Sequence, residues 1–109
     1  MNNIYKLLIS VIITTTFGFS QTTYVPDDNF EQALIDLNYD DTLDDFVLTE
    51  NISGVEDLEI NDKEISDLTG IEDFAALTTL YCHTNQLTSL DVSANTALRV
   101  LHCDDNQLT

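Results

Sequence analysis

The chain has 109 residues, with 20 acidic side chains against three basic ones and a formal charge of −17. Such a surface repels phosphate backbones and anionic lipid, which excludes nucleic-acid and membrane-surface roles. The length holds one domain at most.

Residues 1–20 have the layout of a secretory signal peptide. Lys6 precedes a short apolar run from Leu7 to Ile13, and Gly18 and Ser20 stand at the −3 and −1 positions of a cleavage before Gln21. The run is too short to cross a membrane as a helix. An uncleaved anchor is the alternative. No Cys follows the run, so the layout does not suggest a lipid-anchored start. Cleavage predicts an exported chain with no membrane insertion.

Residues 21–54 read as an N-terminal cap. Gln21 to Val25 is an extended lead-in, and Pro26-Asp27-Asp28 opens a helix over about 28–38. Asp28 with Glu31 three residues later reads as a capping box, at the end of the helix where the dipole favours acids. Phe30, Ala33, Leu34 and Leu37 make one apolar stripe, able to cover the raw end of a solenoid. The loop 38–45 carries Asp40, Asp41, Asp44 and Asp45, a composition that suits calcium. It lacks the turn glycine and the closing glutamate of a calcium loop, so a solvated acidic turn is expected. Phe46-Val47-Leu48 returns apolar residues to the core as an edge segment.

From residue 55 the chain repeats itself. Leu77-Thr78-Thr79-Leu80-Tyr81-Cys82-His83-Thr84-Asn85-Gln86-Leu87-Thr88 returns 21 residues later as Leu98-Arg99-Val100-Leu101-His102-Cys103-Asp104-Asp105-Asn106-Gln107-Leu108-Thr109. Both copies fit L-x-x-L-x-L-x-x-N-x-L with Cys in the third apolar slot, the leucine-rich-repeat pattern. Val55, Leu58, Ile60 and Ile65 form a degenerate earlier copy, with Lys63 in the asparagine slot. Coils are expected over 55–76, 77–97 and an incomplete 98–109. Ile65, Leu68, Ile71 and Phe74 line the first return, with Gly70 allowing a turn, and Leu87, Leu90, Val92 and Ala97 line the second. The fold expected is an α/β repeat solenoid: leucine-rich-repeat coils, a short parallel sheet and an N-terminal helical cap.

Residues 47–109 resemble the start of a bacterial surface leucine-rich-repeat protein of the internalin-like kind. The stretch Ile65-Ser66-Asp67-Leu68-Thr69-Gly70-Ile71-Glu72-Asp73-Phe74 is similar to the linkage between first coils there. The Cys-bearing Asn-Gln-Leu-Thr-Ser-Leu-Asp-Val-Ser form looks like the large secreted repeat proteins of Bacteroidetes-type bacteria. The resemblance implies a helical cap before the coils, secretion or display on a bacterial cell surface, and binding of an extracellular protein or glycan. Lys63 is a departure, at a coil that has a cap on one side instead of a full repeat.

Alternation along each Leu-x-Leu strand sends every second side chain outward. Three columns follow across three coils: Asp57, Thr79 and Val100; Glu59, Tyr81 and His102; Asn61, His83 and Asp104. This three-by-three patch is the candidate ligand-binding surface, since solenoids bind through their concave sheets. Ordinary solvated strand residues are the alternative reading. Asn85 and Asn106 are assigned a structural role, bonding backbone groups left free where the chain bends.

Cys82 and Cys103 share the inward slot of adjacent coils, where free thiols pack as small hydrophobes. Their side chains point the same way, which disfavours a disulfide. The imidazoles beside them point outward, so no zinc tetrahedron closes. No cofactor is expected, and no nucleophile–His–acid spacing or phosphate loop suggests an enzyme. The function expected is an exported binding module, with the N-terminal part of a longer extracellular enzyme or a structural spacer as alternatives. The chain is also expected to be the head of a longer solenoid, because Leu98, Leu101, Cys103 and Leu108 have no following coil to cover them.

Overall fold

The computed structural model describes residues 20–109. The leader expected over 1–20 lies outside them but for Ser20. Strand β1 (Thr22–Tyr24) pairs antiparallel with β2 (Phe46–Leu48), Thr23 opposite Val47. Three-residue strands bury only their middle side chain, so Thr23 and Val47 turn inward while Tyr24, Phe46 and Leu48 stay exposed. The expected return of Phe46 and Leu48 to the core is therefore corrected: alternation allows only Val47 to go in.

Helix α1 spans Asp28–Asp36, ending two residues before the expected 38 because Leu37 leaves helical geometry and Asn38 turns left-handed at φ 68°. Its N-cap is Asp27, not Asp28. Asp27 Oδ1 accepts the amides of Asn29 at 2.9 Å and Phe30 at 3.0 Å. Oδ2 of the same carboxylate accepts Ser66 N at 2.9 Å and Asp67 N at 3.1 Å, which ties the helix start to the first coil. Asn29 Nδ2 adds a bond to Glu64 O at 2.9 Å. Phe30, Ala33 and Leu34 are buried as the stripe predicts, whereas Leu37 is 39% exposed. Phe30 stacks on Phe74 with ring centroids 6.3 Å apart, one hydrophobic step from helix to coil. A single turn, α2 (Thr49–Ile52), follows β2 and buries Ile52.

The coils place β3 (Asp57–Glu59), β4 (Thr79–Tyr81) and β5 (Val100–His102) in one parallel sheet, in that order. Leu58 pairs with Leu80 and Leu80 with Leu101. Inside, Leu58, Ile60, Ile65, Leu68, Ile71, Phe74, Leu77, Leu80, Cys82 and Leu87 join the buried residues of α1 in one core. The first return turns at Gly70, whose φ is 110°; a Cβ there would stand 2.9 Å from Tyr24 O and from Val25 Cγ2. A 3₁₀ turn, Ile71–Asp73, follows it. In the second return Ala97 is exposed instead of lining the core. Asn95 is buried there beside the expected Leu87, donating through Nδ2 to Ile71 O at 2.8 Å and Phe74 O at 3.2 Å. Burial thins along the solenoid: Leu80 is fully buried, and its successor Leu101 is 38% exposed.

Candidate functional site

The sheet register builds the outward rows directly. Asp57 faces Thr79 and Thr79 faces Val100; Glu59 faces Tyr81 and Tyr81 faces His102. Parallel neighbours lie about 4.8 Å apart, so side chains sharing a row stand next to each other. Tyr81 and His102 stack, with centroids 4.8 Å apart and planes 23° from parallel. His83 meets both rings edge-on, 6.3 Å from Tyr81 and 6.4 Å from His102. These three form one aromatic cluster.

The third column is less regular than strand alternation suggests. Asn61, His83 and Asp104 lie beyond the three-residue strands, where the chain is already bending. Asp62 N donates to both His83 O, at 3.3 Å, and Thr84 O, at 3.1 Å, while Thr84 N donates to Asp104 O at 2.9 Å. The bend recurs through left-handed residues at Asp62, Thr84 and Asp105. His83 reaches back to both rings over the sheet, and its Nδ1 is covered with no hydrogen-bond partner. Asp57, Glu59, Val100, His102 and Asp104 are exposed; Asn61, Thr79, Tyr81 and His83 are half-buried.

Behind this face stand the groups that hold the coils. Asn85 Oδ1 accepts Lys63 N and Ile65 N, both at 3.0 Å, and its Nδ2 donates to Ile60 O and Cys82 O. Asn106 repeats this one coil on, with Leu87 N on its Oδ1 and Cys82 O and Cys103 O on its Nδ2. Both cysteines are free thiols. Burial first, then the neighbouring Cys103 and Asp104, push the Cys82 thiol up to about 12. A thiol held that way is a poor nucleophile and a poor zinc ligand.

Two carboxylate groups outside the sheet stand close enough to hold a cation: Asp28, Glu31 and Asp45, and Glu31, Asp40 and Asp44. Their shared member was missed by pattern. Glu31 does not reach back to the helix start as a capping box requires. It is fully buried and accepts Asp45 N at 2.9 Å and Asp44 N at 3.1 Å, closing the acidic loop onto α1. Burial raises its carboxyl to about 7, with Asp40 adding to the rise and the two amides opposing it. Asp41 and Asp44 of the loop are exposed, as a solvated turn requires, and its backbone is anchored to one buried acid. Asn95 was missed as well, and only its place one coil after Phe74 marks it.

No family model matches the chain. Internalin J of Listeria monocytogenes serotype 4b is 38% identical over 91 residues, which covers 77% of this chain and 10% of that protein. The solved functional domain of InlJ from Listeria monocytogenes, which includes a cysteine ladder, is 36% identical with a TM-score of 0.70. That match covers 86% of this chain and 22% of that one. An internalin, inlF, from the same species superposes with a TM-score of 0.72 at 22% identity, over 79% of this chain and 26% of its own, and shows the fold alone. This chain is an internalin-like bacterial leucine-rich-repeat protein.

Proposed function

We propose that the chain is a binding module, secreted or displayed at a bacterial surface, that engages an extracellular protein or glycan through the outward face of β3, β4 and β5. The observation that carries this is the Tyr81–His83–His102 cluster. Its rings pack on each other on the outward face of the sheet, away from the hydrophobic core, with His102 exposed and Tyr81 and His83 half-buried. Rigid aromatic groups of this kind bury large area on contact at small cost in side-chain entropy, which is why they recur as binding anchors. The signal-peptide layout of residues 1–20 and the internalin-like coils support an exported setting. Among the described residues no helix is long and apolar enough to cross a membrane.

The test is a double variant, Tyr81→Ala with His102→Ala, probed on arrays of immobilised glycans and purified extracellular proteins. Capture should fall about tenfold or more, the loss of one to two anchor residues, while the circular dichroism stays unchanged. Equal capture by the variant moves the site off this face.

A further inference from the structure

We propose that the partner presents a basic polypeptide segment, with arginine or lysine side chains seated along the Glu59–Tyr81–His102 row; this rests on the binding role proposed above. The outward columns contain three carboxylates, Asp57, Glu59 and Asp104, and no lysine or arginine. Glu56, Asp62 and Asp105 stand exposed beside them. Lys63 and Arg99 are the two cationic Lys or Arg side chains among the described residues, against a chain total of 20 acids. The field over the sheet is therefore negative, and it repels sulfated, phosphorylated or acidic partners while drawing in cations.

The row adds a shaped receptor to that field. Glu59 neighbours Tyr81 in register, and Tyr81 stacks on His102. A guanidinium laid over the tyrosine ring gains a cation–π contact and stays within reach of the Glu59 carboxylate. At the edge of the same cluster His83 packs edge-on against both rings, which holds the Tyr81–His102 stack in place for the arriving chain. A neutral glycan can stack on the rings and donate hydroxyls to the carboxylates, but it gains nothing from the negative field around them.

The experiment titrates the full chain against a fluorescein-labelled arginine-rich peptide and its citrulline counterpart, which keeps the shape and removes the charge. Fluorescence anisotropy is read at low and physiological salt. The arginine peptide should bind about tenfold or more tighter than the citrulline one, and more weakly as salt rises. Tyr81→Ala, which leaves the net charge unchanged, should weaken it about fivefold. Glu59→Gln should do the same, while Glu50→Gln, an exposed acid on α2 outside the outward columns, should change it less than about twofold. Equal losses for Glu59→Gln and Glu50→Gln with none for Tyr81→Ala mean diffuse attraction and overturn the proposal. Failure of the arginine peptide to bind, while neutral glycans are captured in a Tyr81- and His102-dependent way, overturns the basic partner and leaves the binding role standing. Binding of neither kind that depends on those rings overturns both.

Discussion

The first and second coils follow one path and hold it by different means. In the first, the return is filled by Phe74, stacked on Phe30 of α1. In the second, the corresponding buried residue is Asn95, which reaches back to Ile71 O and Phe74 O. At the strand ends the contrast repeats: Asn85 and Asn106 serve backbone groups of the coil before them, and the first coil has Lys63 there. The asparagine of a coil thus bonds its own strand end, at Cys82 O for Asn85 and Cys103 O for Asn106, and also satisfies amides of the preceding coil. The first coil has no predecessor. Its side toward the N-terminus is served by the helix instead, through Asp27 Oδ2 to Ser66 N and Asp67 N and through Asn29 to Glu64 O.

If the first coil leans on hydrophobic contact with α1, Phe74→Ala should be the most damaging single change. A cavity at a fully buried phenylalanine costs about 4 kcal/mol, read as a lowered urea midpoint. A loss below about 1 kcal/mol would show that Phe30 and Phe74 are not the joint. Asn85→Ala should follow at about 3 kcal/mol, since it strands buried amides and carbonyls of two coils at once. It should also raise amide exchange at Lys63 and Ile65, the two donors it abandons.

The repeat half of the chain was the readable half. A 21-residue period fixes the strands, the inward cysteines, the backward-bonding asparagines and the Tyr81–His102 row, because each depends on neighbours one period away. What stayed hidden depends on contacts with no period. Asp27 is 39 residues from Ser66, and Glu31 is 13 and 14 residues from the amides it accepts. Local pattern made Asp28 and Glu31 a capping box; the tertiary partners took Asp27 and Glu31 for other work. In the candidate site, His83 was placed by alternation, but its edge-on packing against both rings is a side-chain contact that alternation does not describe.

Glu31 gives the helix side of the comparison a pH dependence that the coils lack a buried carboxylate to share. Its folded value of about 7 lies above the 4.5 of the free carboxyl. The folded state therefore holds the proton more tightly, and this contribution is whole below pH 4.5 and is lost as pH rises to about 7. The fall should be on the order of 1 kcal/mol once solvent screening is allowed for. Glu31→Gln should flatten that part of the stability profile; an unchanged slope would assign it to other groups.

The smallest effect is the sharpest test of the backward-looking asparagine. Lys63→Asn restores the repeat pattern at the first coil, so a rule based on pattern predicts a gain in stability. The geometry predicts none. The amides its Oδ1 would serve belong to a preceding coil, and α1 stands in that place with its own bonds to Glu64, Ser66 and Asp67 already made. The own-coil carbonyl its Nδ2 would serve, Ile60 O, already accepts from Asn85 Nδ2. Lys63 is exposed, and its backbone amide is held by Asn85 whatever its side chain. The expected change is within about 0.5 kcal/mol, as for surface substitutions generally. A gain of about 1 kcal/mol or more, the net worth of a new hydrogen bond, would mean that an asparagine needs no preceding coil to stabilise its own, and the contrast between the two coils would need another cause.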